Sequence, residues 1–150
     1  MLKKSIRPII TIDGPAASGK GTISKKIAKY FNLYNLETGL FYRIIGKEFL
    51  YTENNKNIKR FVNSLKKNIF KIDKDYKKEL YSEIVAEQAS KLAKLEVVRS
   101  YVLYEQMRTL QSYPMKFKGI ILEGRDCGTV IAPKANVKFF LNARVEIRAK

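Results

Sequence analysis

Residues 9–12 read I-I-T-I, an apolar run of the kind that forms a buried strand. The apolar period then changes. Ile23, Ile27 and Phe31 fall four apart, on one face of a predicted helix. A short second strand is predicted over residues 34–36, followed by a turn, Glu37-Thr38-Gly39, into a helix holding Phe41, Tyr42, Arg43 and Ile44. Thr38 is a candidate N-cap, because its hydroxyl can accept from a first-turn N–H. Residues 51–59 are polar and read as a loop, 58–65 have helical spacing, and 68–73 alternate weakly, as a short strand does. Residues 81–110 contain neither Pro nor Gly and predict one bent helix, or two with a break near Leu95, ended by Ser112, Tyr113 and Pro114. Residues 119–122 and 137–141 are two further apolar strand signals, and a last helix is predicted to begin at Arg144. No segment repeats. Strands alternating with helices predict an α/β fold, a parallel sheet with helices on both faces. Its ligands should gather at the carboxyl ends of the strands, in the loops over residues 14–22, 37–39 and 123–129.

Composition narrows the class. A chain of 150 residues with 45% hydrophobic positions is expected to form one domain with a real core. No run of eighteen apolar residues occurs, so no membrane span is expected, and the basic start is too short in apolar residues for a signal peptide. One cysteine, Cys127, and no histidine exclude a disulfide framework or a zinc site within the chain. A cytoplasmic monomer is the expectation. The net charge of +16 fits either a nucleic-acid or membrane surface or a lysine-rich exterior with a local basic cleft. The lysines are scattered in pairs, such as Lys25-Lys26 and Lys66-Lys67, which favours the second reading and makes nucleic acid the lesser expectation.

The strongest chemical signal is the loop between the first strand and helix. It consists of Gly14, Pro15, Ala16, Ala17, Ser18, Gly19, Lys20, Gly21 and Thr22. Strand, Gly-rich loop and helix form a P-loop unit, and the spacing from Gly14 to Lys20 is that of a Walker A motif. Small residues let successive N–H groups turn inward on a phosphate, the helix start adds its dipole, and Lys20 adds a point charge. Gly21 stands where the general motif has Ser or Thr, and Thr22 supplies a hydroxyl one position later. Glu123 closes an apolar strand, as a Walker B acid does. It reads either as a holder of magnesium-bound water, together with Thr22, or as a strand-end carboxylate in solvent. Asp13, just before the loop, has an equally open role. Arg125 and Asp126 read either as a structural ion pair or, with Arg43, as a site for a second phosphate-bearing ligand. In the latter, arginine grips phosphate and the carboxylate accepts from an exocyclic amine such as that of cytosine.

The segments I-T-I-D-G-P-A-A-S-G-K-G-T, E-T-G-L-F-Y-R, V-A-E-Q-A-S, V-V-R, E-G-R-D-C-G-T-V-I-A-P and V-K-F-F-L-N-A together resemble bacterial cytidylate kinases, in the family's order and outside residues 46–82. The resemblance implies a P-loop nucleoside monophosphate kinase-like core over residues 1–150, with transfer of the ATP γ-phosphoryl group to CMP or dCMP and Mg²⁺ as cofactor. It implies ATP binding by residues 14–22. It implies CMP binding by Thr38, Arg43, Ser90, Arg99, Arg125 and Asp126, with Lys20, Arg125 and Asp126 as the catalytic set. Thr38 and Arg43 would face phosphate and ribose, and Ser90, Arg99 and Asp126 would read cytosine. No general base is needed, since the attacking group is a phosphate oxygen whose second pKa is about 6.

The chain departs from the family pattern twice. The CMP-side insert, at about 46–82, is reduced, without the G-x-D-V and I-R-T motifs, and Tyr81 stands where an arginine is expected. Lys150 falls near the start of the family's arginine-rich lid helix, with Arg148 in that helix, so the fold is expected to be incomplete at the C-terminus and binding to outlast turnover. The alternatives are another P-loop small-molecule kinase, an inactive nucleotide-binding remnant, and a basic RNA-binding module. The chain shows no aromatic RNA-binding signature to support the last.

Overall fold

The computed structural model describes residues 7–52, 57–65, 70 and 74–144. The chain divides into two compact units, Met1–Thr38 with Met107–Lys150, and Gly39–Gln106.

The first unit is built on a four-stranded parallel sheet of order β2-β3-β1-β4, with β1 at Ile9–Asp13, β2 at Leu33–Glu37, β3 at Gly119–Gly124 and β4 at Val137–Phe140. Every pairing is parallel, and the register sets Ile12 beside Glu123 and Phe139, and Glu37 beside Glu123. Four of the five predicted strands form within two residues of their predicted bounds. The apolar runs of β1 and β3 serve a strand with neighbours on both edges, and Ile12, Ile120, Ile121 and Leu122 are fully buried. Helix α1, Lys20–Phe31, lays Ala28 and Ile27 on Ile10, Ile12, Leu33 and Ile121. It ends at Asn32, whose left-handed backbone (φ 55°) lets its N–H reach the Ala28 carbonyl. The edge strand β4 is exposed along its length. Its Phe139 and Phe140, with Leu141, Ile12, Ile23 and Ile27, line an apolar groove of about 190 Å³.

The second unit is helical: α2 at Gly39–Leu50, α3 at Ile58–Ser64, α4 at Lys74–Glu79, α5 at Glu83–Leu92, and the first part of α6, Glu96–Ser112. The long Pro- and Gly-free region therefore resolves into two helices. The Leu95 carbonyl, accepting from Val98 and Arg99, starts the second at the predicted break. Ile44, Leu80 and Val85 form the core, with Leu40, Leu50, Phe70 and Tyr76 packed on it. Asn57 caps α3 by accepting from the Arg60 N–H at 3.0 Å.

Two segments differ from expectation. The loop predicted over residues 123–129 contains a π-helical turn, Cys127–Ile131, in which the Ala132 N–H reaches the Cys127 carbonyl at 2.7 Å. Helix α4 carries no apolar period. It is held from α2 by Lys47 on Glu79 at 2.6 Å and by the Tyr76 hydroxyl donating to Glu48 at 2.9 Å. The strand predicted over 68–73 lies outside the described residues except for Phe70, as do the helix predicted beyond Arg144 and Arg148 within it.

Helices α2 and α5 approach closely at Gly46, where an added Cβ would sit 2.9 Å from the Ala89 backbone nitrogen. Gly46→Ala gains about 1 kcal/mol of helix propensity but forces backbone apart at about 1–3 kcal/mol. The clash is with main chain, so it prevails. Urea unfolding should show a net loss of stability for Gly46→Ala and a larger one for Gly46→Val; unchanged midpoints would contradict the close approach.

Candidate active site

Because the strands are parallel, their carboxyl ends share one edge. There β1 is tied to both neighbours: the Asp13 carbonyl accepts from Leu141 N–H at 2.7 Å, and Gly14 N–H donates to the Gly124 carbonyl at 3.2 Å. Gly14 has φ 156°, and a side chain there would run into the Leu141 carbonyl oxygen. The loop turns through left-handed Ala17 (φ 55°) and Gly19 (φ 85°). Gly19 caps α1 without a side chain, its carbonyl accepting from Thr22 and Ile23 N–H at 3.1 Å. A helix start left without a side-chain cap is an anion cradle. The Lys20 ammonium closes the loop by donating to the Pro15 carbonyl at 2.9 Å.

Glu123 is half-buried, with its carboxylate against the first turn of α1; a Cβ on Gly21 would lie 3.4 Å from Oε2. The Glu123 carboxylate is therefore only partly open to solvent. Its register neighbour Glu37 is paired with Lys25 at 3.6 Å. No cluster of three or more metal-binding His, Cys, Asp or Glu side chains occurs among the described residues. Thr22 and Glu123 nevertheless suit Mg²⁺, which takes hard oxygen donors and is held largely by substrate phosphates and water.

The second loop at this edge follows β3. Arg125 and Asp126 are exposed, and the π-helical turn begins immediately after them. The Asp126 carbonyl accepts from Val130 N–H at 2.8 Å and more weakly from Thr129 and Ile131, so its backbone is fixed. Beneath the turn, the buried Asp13 carboxylate accepts from Cys127 N–H and Gly128 N–H, each at 2.8 Å. Thr38 is buried beside it. Its hydroxyl, expected to cap α2 as an acceptor, donates to the Glu123 carbonyl at 2.9 Å, and its N–H bonds the same oxygen at 3.0 Å. Cys127 Sγ lies 3.6 Å from that hydroxyl. Burial holds the Cys127 thiol well above its ordinary pKa, despite the contact with Thr38.

The remaining sequence candidates belong to the second unit. Arg43, on α2, donates to the Leu80 carbonyl at 2.8 Å and lies over the Tyr81 ring, 5.2 Å from its centroid. Ser90 on α5 and Arg99 on α6 are exposed.

A family model described as cytidylate kinase matches residues 10–150. The chain belongs to the cytidylate kinase family. It is 36% identical to the cytidylate kinase of Bartonella tribocorum over 146 residues, 95% of this chain and 64% of that protein. It is 39% identical to that of Fusobacterium nucleatum over 153 residues, 95% and 67% of the two chains. A bifunctional pantoate ligase/cytidylate kinase of Prochlorococcus marinus is 36% identical over 158 residues, 96% of this chain and 30% of the larger protein. The chain thus spans about two thirds or less of these relatives. No helix among the described residues is long and apolar enough to cross a membrane.

Within this family member, sequence reasoning left the task of Asp13 open and missed the contact of Tyr81 with Arg43. The signal for Asp13 was an acid at the end of an otherwise apolar strand. For Tyr81 it was the aromatic ring at a position where the resemblance led an arginine to be expected.

The raised thiol pKa means little thiolate at neutral pH. A disulfide reagent should therefore react with Cys127 in the native chain at least about tenfold more slowly than in denaturant. Equal rates in a colorimetric thiol assay would show the thiol to be open.

Proposed function

We propose that the chain carries the nucleotide sites of a kinase that transfers the γ-phosphoryl group of ATP to CMP or dCMP, giving ADP and CDP or dCDP. The observation that carries this reading is the meeting of two loops at one sheet edge. The P-loop leaves β1 and the R-D-C-G-T-V turn leaves β3, and they are joined by the Gly14–Gly124 hydrogen bond. One loop offers N–H donors and Lys20 to a triphosphate. The other offers a guanidinium and a carboxylate to a second ligand.

In this reading Gly14, Pro15, Ala16, Ala17, Ser18, Gly19, Lys20, Gly21 and Thr22 bind the ATP phosphates. Arg125, Thr38 and Arg43 hold the CMP phosphate and ribose. Asp126, Arg99 and Ser90 read cytosine, whose N4 amine donates and whose N3 and O2 accept. Thr22 and Glu123 would hold Mg²⁺, chiefly through water, and the ion would neutralise charge on the phosphates. An ionised phosphate oxygen of CMP forms a bond to the γ-phosphorus as the bond to the β–γ bridging oxygen breaks, and ADP leaves with that electron pair. The acceptor carries no proton to remove, so the residues serve alignment and charge neutralisation, which suits a chain without histidine.

Lys20→Ala should remove a charge-assisted contact worth about 1.5–3 kcal/mol, lowering ATP affinity at least about tenfold by calorimetry. Asp126→Ala should weaken CMP while leaving ATP nearly unchanged. Tighter binding of AMP or UMP than CMP by the unaltered chain would overturn the cytosine assignment.

A further inference from the structure

We propose that Asp13 is a positioning residue for the acceptor nucleotide: its buried carboxylate fixes the turn that presents Arg125 and Asp126, and locks that turn to the P-loop. The inference rests on the function proposed above and assigns a task to a side chain that reading leaves unused.

Both Asp13 oxygens are committed. Oδ1 accepts from Cys127 N–H and Oδ2 from Gly128 N–H, each at 2.8 Å, and the residue is only 7% exposed. It is therefore removed from direct contact with a ligand and acts through the residues it holds. Those two amides follow directly on Arg125 and Asp126, so the carboxylate sets where the exposed pair begins. The turn has little slack. A Cβ on Gly128 would lie 2.7 Å from Thr11 Oγ1 and 3.2 Å from Asp13 Oδ2, and one on Gly124 would collide with Thr38 Oγ1. Cys127 and Gly128 open the π-helical turn, where the first N–H groups of a helix have no acceptor of their own, and the Asp13 carboxylate supplies one for both. The link continues through the backbone. Asp13 precedes Gly14, its carbonyl holds Leu141, and Gly14 N–H holds Gly124. Phosphate donor and acceptor sites are thereby referenced to a single residue.

Asn in place of Asp13 preserves volume but not chemistry. Its one oxygen satisfies one N–H, and its amide group faces the other donor with a donor. The turn should lift while the P-loop stays. The test is calorimetric titration of ATP and CMP against the full chain, its Asp13→Asn and Gly128→Ala variants, and Asp13→Asn combined with Asp126→Ala. Gly128→Ala displaces the turn while leaving both carboxylate oxygens of Asp13 as acceptors.

We expect both single variants to lose CMP affinity by about tenfold or more while ATP affinity stays within about twofold. We expect Asp13→Asn to cost clearly less in the Asp126→Ala background than it costs alone, because part of its effect passes through Asp126 and the remainder through Arg125. A purely structural role gives a different pattern: ATP affinity falls first, since Gly14 is the next residue, and the double variant shows additive losses. Either result overturns the proposal, as does an unchanged CMP affinity. If the unaltered chain prefers another monophosphate, the cytosine reading fails and the same cycle run with that nucleotide judges Asp13. If it binds no monophosphate, both fall.

Discussion

The candidate site depends on how β1 ends. Its last residue and the glycine after it are bonded sideways to both neighbouring strands, through Leu141 on one side and Gly124 on the other. Thr38 repeats the device one strand over, donating twice to the Glu123 carbonyl. The loops that leave this edge are therefore anchored at their roots by main-chain hydrogen bonds in a buried sheet. An unmade bond there would strand a desolvated donor or acceptor at a cost of about 1–3 kcal/mol. Such roots do not shift by small steps, and the proposed phosphoryl transfer would need that, because a misplacement of about 1 Å costs on the order of a hundredfold in rate.

What the sequence made legible was local. The apolar run of β1, the glycine spacing and the four-residue period of α1 lie within 23 consecutive residues, and each has its own physical cause, so strand, loop and helix could be read without knowing the neighbours. The region around Leu95 was legible in part: the lack of Pro and Gly over residues 81–110 predicted helix, while one bent helix and two helices both stayed open. Helix α4 was not legible, because its six residues K-D-Y-K-K-E carry no apolar period and depend on contacts with Lys47 and Glu48 of α2. The π-helical turn was hidden for a stronger reason. The carboxylate that accepts from its first N–H lies 114 residues earlier in the chain. The position of Glu123 against Gly21 likewise follows from strand order, which no short window contains.

In the helical unit, Arg43 shows how a charged candidate is restrained before any ligand arrives. One guanidinium N–H is spent on the Leu80 carbonyl and the group sits over Tyr81, yet a guanidinium has five donors in a planar fork. Pre-orientation of this kind reduces the rotamer entropy lost on gripping a phosphate. It also makes Tyr81 a partner of the arginine. The ring of Tyr81 thus helps to orient the guanidinium beneath which it lies.

Net charge and selectivity then separate. A chain at +16 draws in any nucleotide, and that attraction is screened over about 8 Å at physiological ionic strength, so it speeds encounter without telling one base from another. In the proposed reading Lys20 and Arg125 grip phosphate, which every nucleotide carries. A carboxylate among such groups works against phosphate binding, at a few kcal/mol for like charges about 4 Å apart in a site of intermediate dielectric. Asp126 is a net gain only for a ligand that brings a hydrogen-bond donor to it and keeps its phosphate at a distance. Discrimination in the proposed reaction thus rests on where Asp126 stands relative to Arg125, and that spacing is set by the turn that the Asp13 carboxylate holds in place.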